Sequence, residues 1–191
     1  GPIGRGIRRC AQGEQVMRRY IVAGVLIAVG AGLFGAWPWC GEETVAVLVR
    51  HADGAPGQKT DELSPAGVVR SKALAQALQK TGVSAVIVSD TNRAAQTAAP
   101  LAEASGVTPV VIGAKDFKAI AEAVWAFPGE TVLVVGHSNT VPAIIAALGG
   151  PQLPDLGDNE FDDLFVLTTC RCGWPAPRLV KLQYGATSPV E

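Results

Sequence analysis

Four short stretches of the chain are almost wholly apolar: residues 44–49, 85–88, 108–112 and 131–135. They are rich in valine and isoleucine and are bounded by polar or glycine-containing segments, which is the composition of strands. Between them the apolar residues change spacing. Val68, Val69, Leu74 and Leu78 recur near a helical period. That helix is predicted to start at Ser64-Pro65, with serine as N-cap and proline at the first helical position, and to stop at Thr81-Gly82. Further helices are predicted over 93–104, 116–126 and 141–148, ended by Ser105-Gly106, Pro128-Gly129 and Gly149-Gly150-Pro151. A polar loop over 152–163 precedes two last strands, 164–169 and 178–182, joined through Gly173-Trp174-Pro175 as an antiparallel pair. Strands alternating with helices predict an α/β layered domain, and near-continuous apolar strands predict a sheet covered on both faces. The final pair makes that sheet mixed rather than wholly parallel.

Charge divides the chain in two. Residues 1–40 carry five arginines and one glutamate, a balance of +4, whereas residues 41–191 carry eleven basic and sixteen acidic residues, a balance of −5. An acidic main part argues against nucleic acid as the partner. The lone methionine, Met17, begins a short basic start followed by an uncharged run from Tyr20 to Cys40. That run is about the length that spans a bilayer, roughly 20 residues. We therefore expect residues 1–41 to be an N-terminal extension with a hydrophobic helix, a membrane anchor or signal peptide, and residues 42–191 to be the catalytic domain. Trp37 and Trp39 favour a retained anchor. The early arginines before the run, with Glu42 and Glu43 after it, orient the domain outward, so that it is exported and anchored, or secreted if the segment is cleaved. Of the four cysteines, Cys40 follows residues too bulky for a usual lipidation site. Cys170 and Cys172, one residue apart, could form a strained bridge in an exported domain but read rather as alternating strand residues, and the four cysteines with the two histidines form no zinc-type set.

The chain has two histidines, His51 and His137, and each stands just past an apolar strand. In open α/β sheets, ligands bind beyond the carboxyl ends of strands. Arg50 closes the first strand, and Arg93 opens the helix after the second. Two guanidiniums, each a fork of donors, suit a phosphoryl group, and a neutral imidazole between them is a nucleophile for phosphorus. Helix N-termini near Thr91 and Ser138 are expected to add backbone donors.

Four blocks, V-L-V-R-H-A-D, L-S-P-A-G-V-V-R-S-K-A-L-A, S-D-T-N-R-A-A-Q-T-A and V-V-G-H-S-N-T, occur in that order. Together they resemble the histidine phosphatase superfamily, the phosphoglycerate mutase-like family, over roughly residues 44–184. The resemblance implies a three-layer α/β/α sandwich on a mostly parallel mixed sheet, and a phosphohistidine intermediate. His51 would be the nucleophile, Arg50 and Arg93 phosphate ligands, and His137 the partner that completes the pocket. No metal or organic cofactor is implied. A leaving alkoxide needs a proton. The acid-phosphatase branch would have an Asp directly after its second histidine, where this chain has Ser138. In the other branch the acid comes from the loop after the third strand, where Asp116 stands. Asp53 is its rival, and the competing use of Asp116 is as N-cap of the helix that follows.

The expected activity is that of a phosphatase acting on a phosphomonoester or related group, carried by a small phosphorylated substrate or a phosphoprotein. The alternative is a membrane-anchored phosphate-binding or interaction module of the same fold with weak catalysis. A mutase is the weaker third reading, because the outer part has little room for the insertions that enclose a bisphosphate. A serine hydrolase fails at Thr140, which breaks G-x-S-x-G, and because no histidine follows Ser138. The acidic stretch Asp155 to Asp163 reads as a solvated surface or as a screen at the pocket mouth.

Overall fold

The computed structural model describes residues 41–54 and 61–188. The apolar run over 20–40 lies outside them. Among the described residues no helix is long and apolar enough to cross a membrane.

Six strands and four helices follow one another as β1 (Thr44–Arg50), α1 (Pro65–Leu78), β2 (Val83–Ser89), α2 (Asn92–Ser105), β3 (Val110–Ile112), α3 (Phe117–Trp125), β4 (Thr131–Gly136), α4 (Thr140–Ala147), β5 (Asp163–Thr169) and β6 (Arg178–Gln183). The predicted N-cap Ser64 holds, and Thr91 caps the second helix. Ser64 Oγ accepts from the Gly67 N–H, and Thr91 Oγ1 from the Ala94 N–H. Gly106 closes α2 in the left-handed conformation at φ +67°, which a side chain would strain.

One mixed sheet has the order β3-β2-β4-β1-β5-β6. The first four of these strands are parallel, and β5 and β6 run antiparallel at the far side. Alternate residues of each central strand feed two cores. Ala46, Leu48, Ile87, Val132 and Val134 pack with Ile120 and Val124 of α3 and Ile144 and Ile145 of α4. Val47, Val49, Val86, Leu133 and Val135 pack with Leu74 and Leu78 of α1 and Ala98 and Leu101 of α2. Helices thus cover both faces. Each fully buried valine or leucine contributes about 1.5–3 kcal/mol, which is why both faces of β1 and β4 are apolar.

The sheet order decides where chemistry can sit. The carboxyl ends of β1, β4 and β2 lie side by side. Because β5 is antiparallel to β1, pairing Leu164 with Val49, the loop entering β5 reaches the same edge. Gly67 keeps α1 close beneath it: a Cβ there would meet the Asp53 carbonyl oxygen at 2.2 Å. The cysteine expectation is corrected here. Cys170 and Cys172 are not alternating strand residues; they lie in the turn after β5, where the Gly173 N–H closes onto the Cys170 carbonyl (2.8 Å) and the two sulfurs are 3.1 Å apart.

Candidate active site

The β1 ladder continues one residue past its last strand residue. The His51 N–H donates to the Gly136 carbonyl at 2.8 Å, so His51 and His137 leave adjacent strands at the same level. Their rings meet edge to face with centroids 5.2 Å apart. His51 is buried, at 4% exposure. Its Nδ1 lies 2.9 Å from the Ala52 carbonyl. A carbonyl only accepts, so Nδ1 carries the proton and Nε2 keeps its lone pair. Burial pushes the His51 pKa down to about 4, and the charges of Arg93, His137 and Arg50 act in the same direction against the Ala52 hydrogen bond. The ring is therefore neutral at physiological pH, as a nucleophile must be. His137 is also held below its ordinary pKa, by burial and then by Arg93, with Asp61 and Asp90 opposing. Its Nε2 lies 2.9 Å from Ser89 Oγ, at the end of β2.

These shifts have a testable consequence. The chain has two histidines, so one variant assigns both ring signals. The His51 signal is expected to titrate near pH 4 in proton NMR, not near 6.5. Between pH 6.5 and about 4 the unfolded chain binds the proton that the native ring refuses, so stability should fall as pH falls through that window. A His51 titration near 6.5 would place the ring in water and remove the basis for a buried nucleophile.

Arg50 is held by backbone. Its Nη1 donates to the carbonyls of Gly157 (2.7 Å), Asp158 (2.9 Å) and Glu160 (3.3 Å). Its guanidinium carbon sits 4.1 Å over the Phe161 ring, whose centroid is 6.1 Å from that of His51. Arg50 Nε is buried and has no hydrogen-bond partner among the described residues. Arg93 lies on the other side, its Nε donating to Asp61 Oδ1 at 2.8 Å. Thr97 ties the loop after His51 to the helix that carries Arg93: its Oγ1 accepts from the Ala52 N–H (2.9 Å) and donates to the Arg93 carbonyl (2.7 Å). Gln96 Oε1 accepts from the Leu63 N–H.

The two carboxylates singled out in the sequence have other work. Asp53 is in a charge-assisted pair with Arg70 of α1, at 2.6 Å from Nε and 3.4 Å from Nη2. Arg70 is itself buried and donates to the Ala186 carbonyl at 2.7 Å, so the pair anchors the loop after His51 to the C-terminal segment. Asp116 caps α3, its Oδ1 accepting from the Ala119 N–H at 3.0 Å. It is exposed, in a loop stitched to the β2 exit by Asp90, whose Oδ1 accepts from the Ala114 N–H. At the start of α2 the Asn92 N–H goes to Asp61 and the Ala94 N–H to Thr91. Helix α4 starts without a side-chain cap.

Sequence reasoning missed Asp61, Phe161, Ser89 and Arg70 as parts of this edge. Phe161 carried a usable signal, a lone aromatic in an acidic loop. Asp61 carried none, because nothing local to it names Arg93 as its partner. Among the described residues no group of three His, Cys, Asp or Glu side chains is placed to hold a metal ion.

The model of the histidine phosphatase superfamily, branch 1, matches residues 46–115, which include Arg50, His51 and Arg93. No curated protein matches the chain. Among solved structures, the protein histidine phosphatase SixA complexed with tungstate superposes with a TM-score of 0.61 at 21% identity, covering 73% of this chain and 96% of that one. Mycobacterial glucosyl-3-phosphoglycerate phosphatase superposes with a TM-score of 0.55 at 20% identity, covering 74% and 99%. A phosphohistidine phosphatase SixA described as putative, from Nakamurella multipartitia, gives 0.50 at 24% identity, covering 75% and 96%. At these identities the superpositions speak to the fold alone.

Proposed function

We propose that this chain, which belongs to the histidine phosphatase superfamily, hydrolyses a phosphomonoester or a related phosphorylated group through a phosphohistidine on His51. The observation that carries the proposal is the tautomer of His51. With Nδ1 donating to the Ala52 carbonyl, the Nε2 lone pair is the free one, in a ring flanked by His137 and influenced by both arginines. In the first step that lone pair forms a bond to phosphorus as the bond to the leaving oxygen breaks. Arg50 and Arg93 take the charge on the phosphoryl oxygens, and His137 completes the pocket. In the second step water attacks phosphorus and gives a proton back to the acid that protonated the leaving group, the P–N bond breaks, and Nε2 regains its pair as inorganic phosphate leaves.

The leaving oxygen needs a proton, and we assign it to Asp116. What supports this is position: its loop leaves β3 at the carboxyl edge and is bound through Asp90 to the turn that follows Ser89. Asp116→Asn is expected to lower turnover of alkyl phosphates by about 10²-fold and to affect aryl phosphates far less, since their leaving groups need little help. Equal losses on both would leave Asp116 the cap of α3 and nothing more. The capping bond favours one second reading, a phosphate-binding module with slow turnover.

The test of the route itself is trapping. Residues 41–191 incubated with a labelled phosphomonoester and quenched should carry an acid-labile, base-stable label. The absence of label and of turnover across alkyl, aryl and N-phosphoryl substrates would select the binding module. The neighbours' names suggest two substrate types to include in that panel, a phosphohistidine protein and glucosyl-3-phosphoglycerate.

A further inference from the structure

Arg93 is held in a way that fixes more than its position. Asp61 Oδ1 accepts from Arg93 Nε at 2.8 Å, while Oδ2 accepts from the Asn92 N–H at 2.6 Å. One carboxylate therefore grips the side chain and the first turn of the helix that carries it. The Gly54 backbone lies close to the same guanidinium. A Cβ on Gly54 would stand 3.2 Å from Arg93 Nη1, so the backbone at Gly54 packs directly on that group. The Asp61 segment is itself anchored, because Leu63 pairs with Gly54 in an isolated bridge and gives its N–H to Gln96 of the same helix. With Nε taken, the remaining donors of the fork are the two Nη groups. A planar fork held along one edge presents the other edge in a fixed direction.

We propose that Asp61 is a positioning residue: it orients Arg93 so that its Nη edge meets the phosphoryl group at the His51–His137 pair. This rests on the reading of Arg93 as a phosphate ligand. It is distinct from an acid role for Asp61. Burial alone would raise its carboxyl, but the Arg93 and Asn92 donors on its two oxygens outweigh that and hold it below the usual range, so it has no proton to give near neutral pH.

The sign of the effect separates positioning from simple electrostatics. Removing a carboxylate beside an anion site makes that site more positive, which alone would tighten anion binding. Loss of orientation does the reverse. The experiment measures binding of inorganic phosphate, by calorimetry or as a competitive inhibitor, in the 41–191 domain that also serves for trapping, with the full chain as control. Asp61→Ala is expected to weaken phosphate binding about 10-fold and to lower kcat/KM by about 10- to 100-fold, with Asp61→Glu recovering part of both. In an Arg93→Ala background the same substitution should add little, because no fork remains to be oriented. Unchanged or tighter phosphate binding in Asp61→Ala, or an undiminished effect in the Arg93→Ala background, would overturn the inference. If Arg93→Ala itself leaves phosphate binding intact, the assignment of Arg93 fails, and that outcome is separate from the failure of Asp61.

Discussion

His51→Ala is expected to carry no phosphoryl label and to lose turnover by at least about 10³-fold, while still binding inorganic phosphate. A covalent route has no substitute when its nucleophile is removed, and losses of that size or larger accompany the deletion of such groups. Binding should survive because the charges that attract the anion belong to Arg50 and Arg93, which the substitution leaves in place. The contrast matters more than either number. Loss of label with retained phosphate binding assigns His51 to bond making. Loss of both would mean that the buried ring, wedged between His137 and Phe161, was holding the site together. Labelling that persists in the variant would move the nucleophile elsewhere, and His137 would be the first place to look. A proton NMR comparison of the methyl region guards against a folding artefact, since Val47 and Val49 of the neighbouring core should keep their shifts.

What the sequence made legible follows from how locally each feature is determined. The strands through Val47 and Leu133 could be read because a two-faced core demands apolar residues at every position. The histidines stood out because a polar group that ends such a strand emerges at the edge. Ser64 and Gly106 could be read because caps obey local chemistry. The order of the strands was not legible. Nothing in 164–169 says that it pairs antiparallel with β1, and only that pairing brings the loop from Gly157 to Phe161 against Arg50. The partners of Arg50 are backbone carbonyls, which have no sequence signature at all. The carboxylates were hard for the opposite reason. Asp53, Asp61 and Asp116 are chemically alike, and only geometry gives them an ion pair with Arg70, a grip on Arg93 and a helix cap.

The second large effect is expected at Arg50, and it tests whether the acidic loop belongs to the site. Arg50 is bound twice over. One nitrogen serves three carbonyls of the loop, the plane lies on Phe161, and the buried Nε faces no protein acceptor. Arg50→Lys keeps the charge and removes the fork. A single ammonium has three donors at one point and cannot both hold the loop and reach a phosphoryl oxygen in a fixed plane. We expect kcat/KM to fall by about 10²- to 10³-fold, the size seen when one preorganised donor to a developing anion is lost. We also expect stability to fall by about 1–3 kcal/mol, because the loop carbonyls lose hydrogen bonds from a charged donor. The two losses should be linked through the loop. Amide exchange over Gly157 to Phe161 is expected to accelerate in the Lys variant, while exchange in β4, on the other side of β1, stays as it was. If activity falls and the loop remains protected, the carbonyl contacts are incidental and Arg50 acts on the phosphoryl group alone. If loop protection and activity fall together, the stretch from Asp155 to Asp163 is more than a solvated surface. Its backbone sets the angle of a phosphate ligand, and its carboxylates, Asp158 first among them, help to keep that buried guanidinium charged against the cost of its burial.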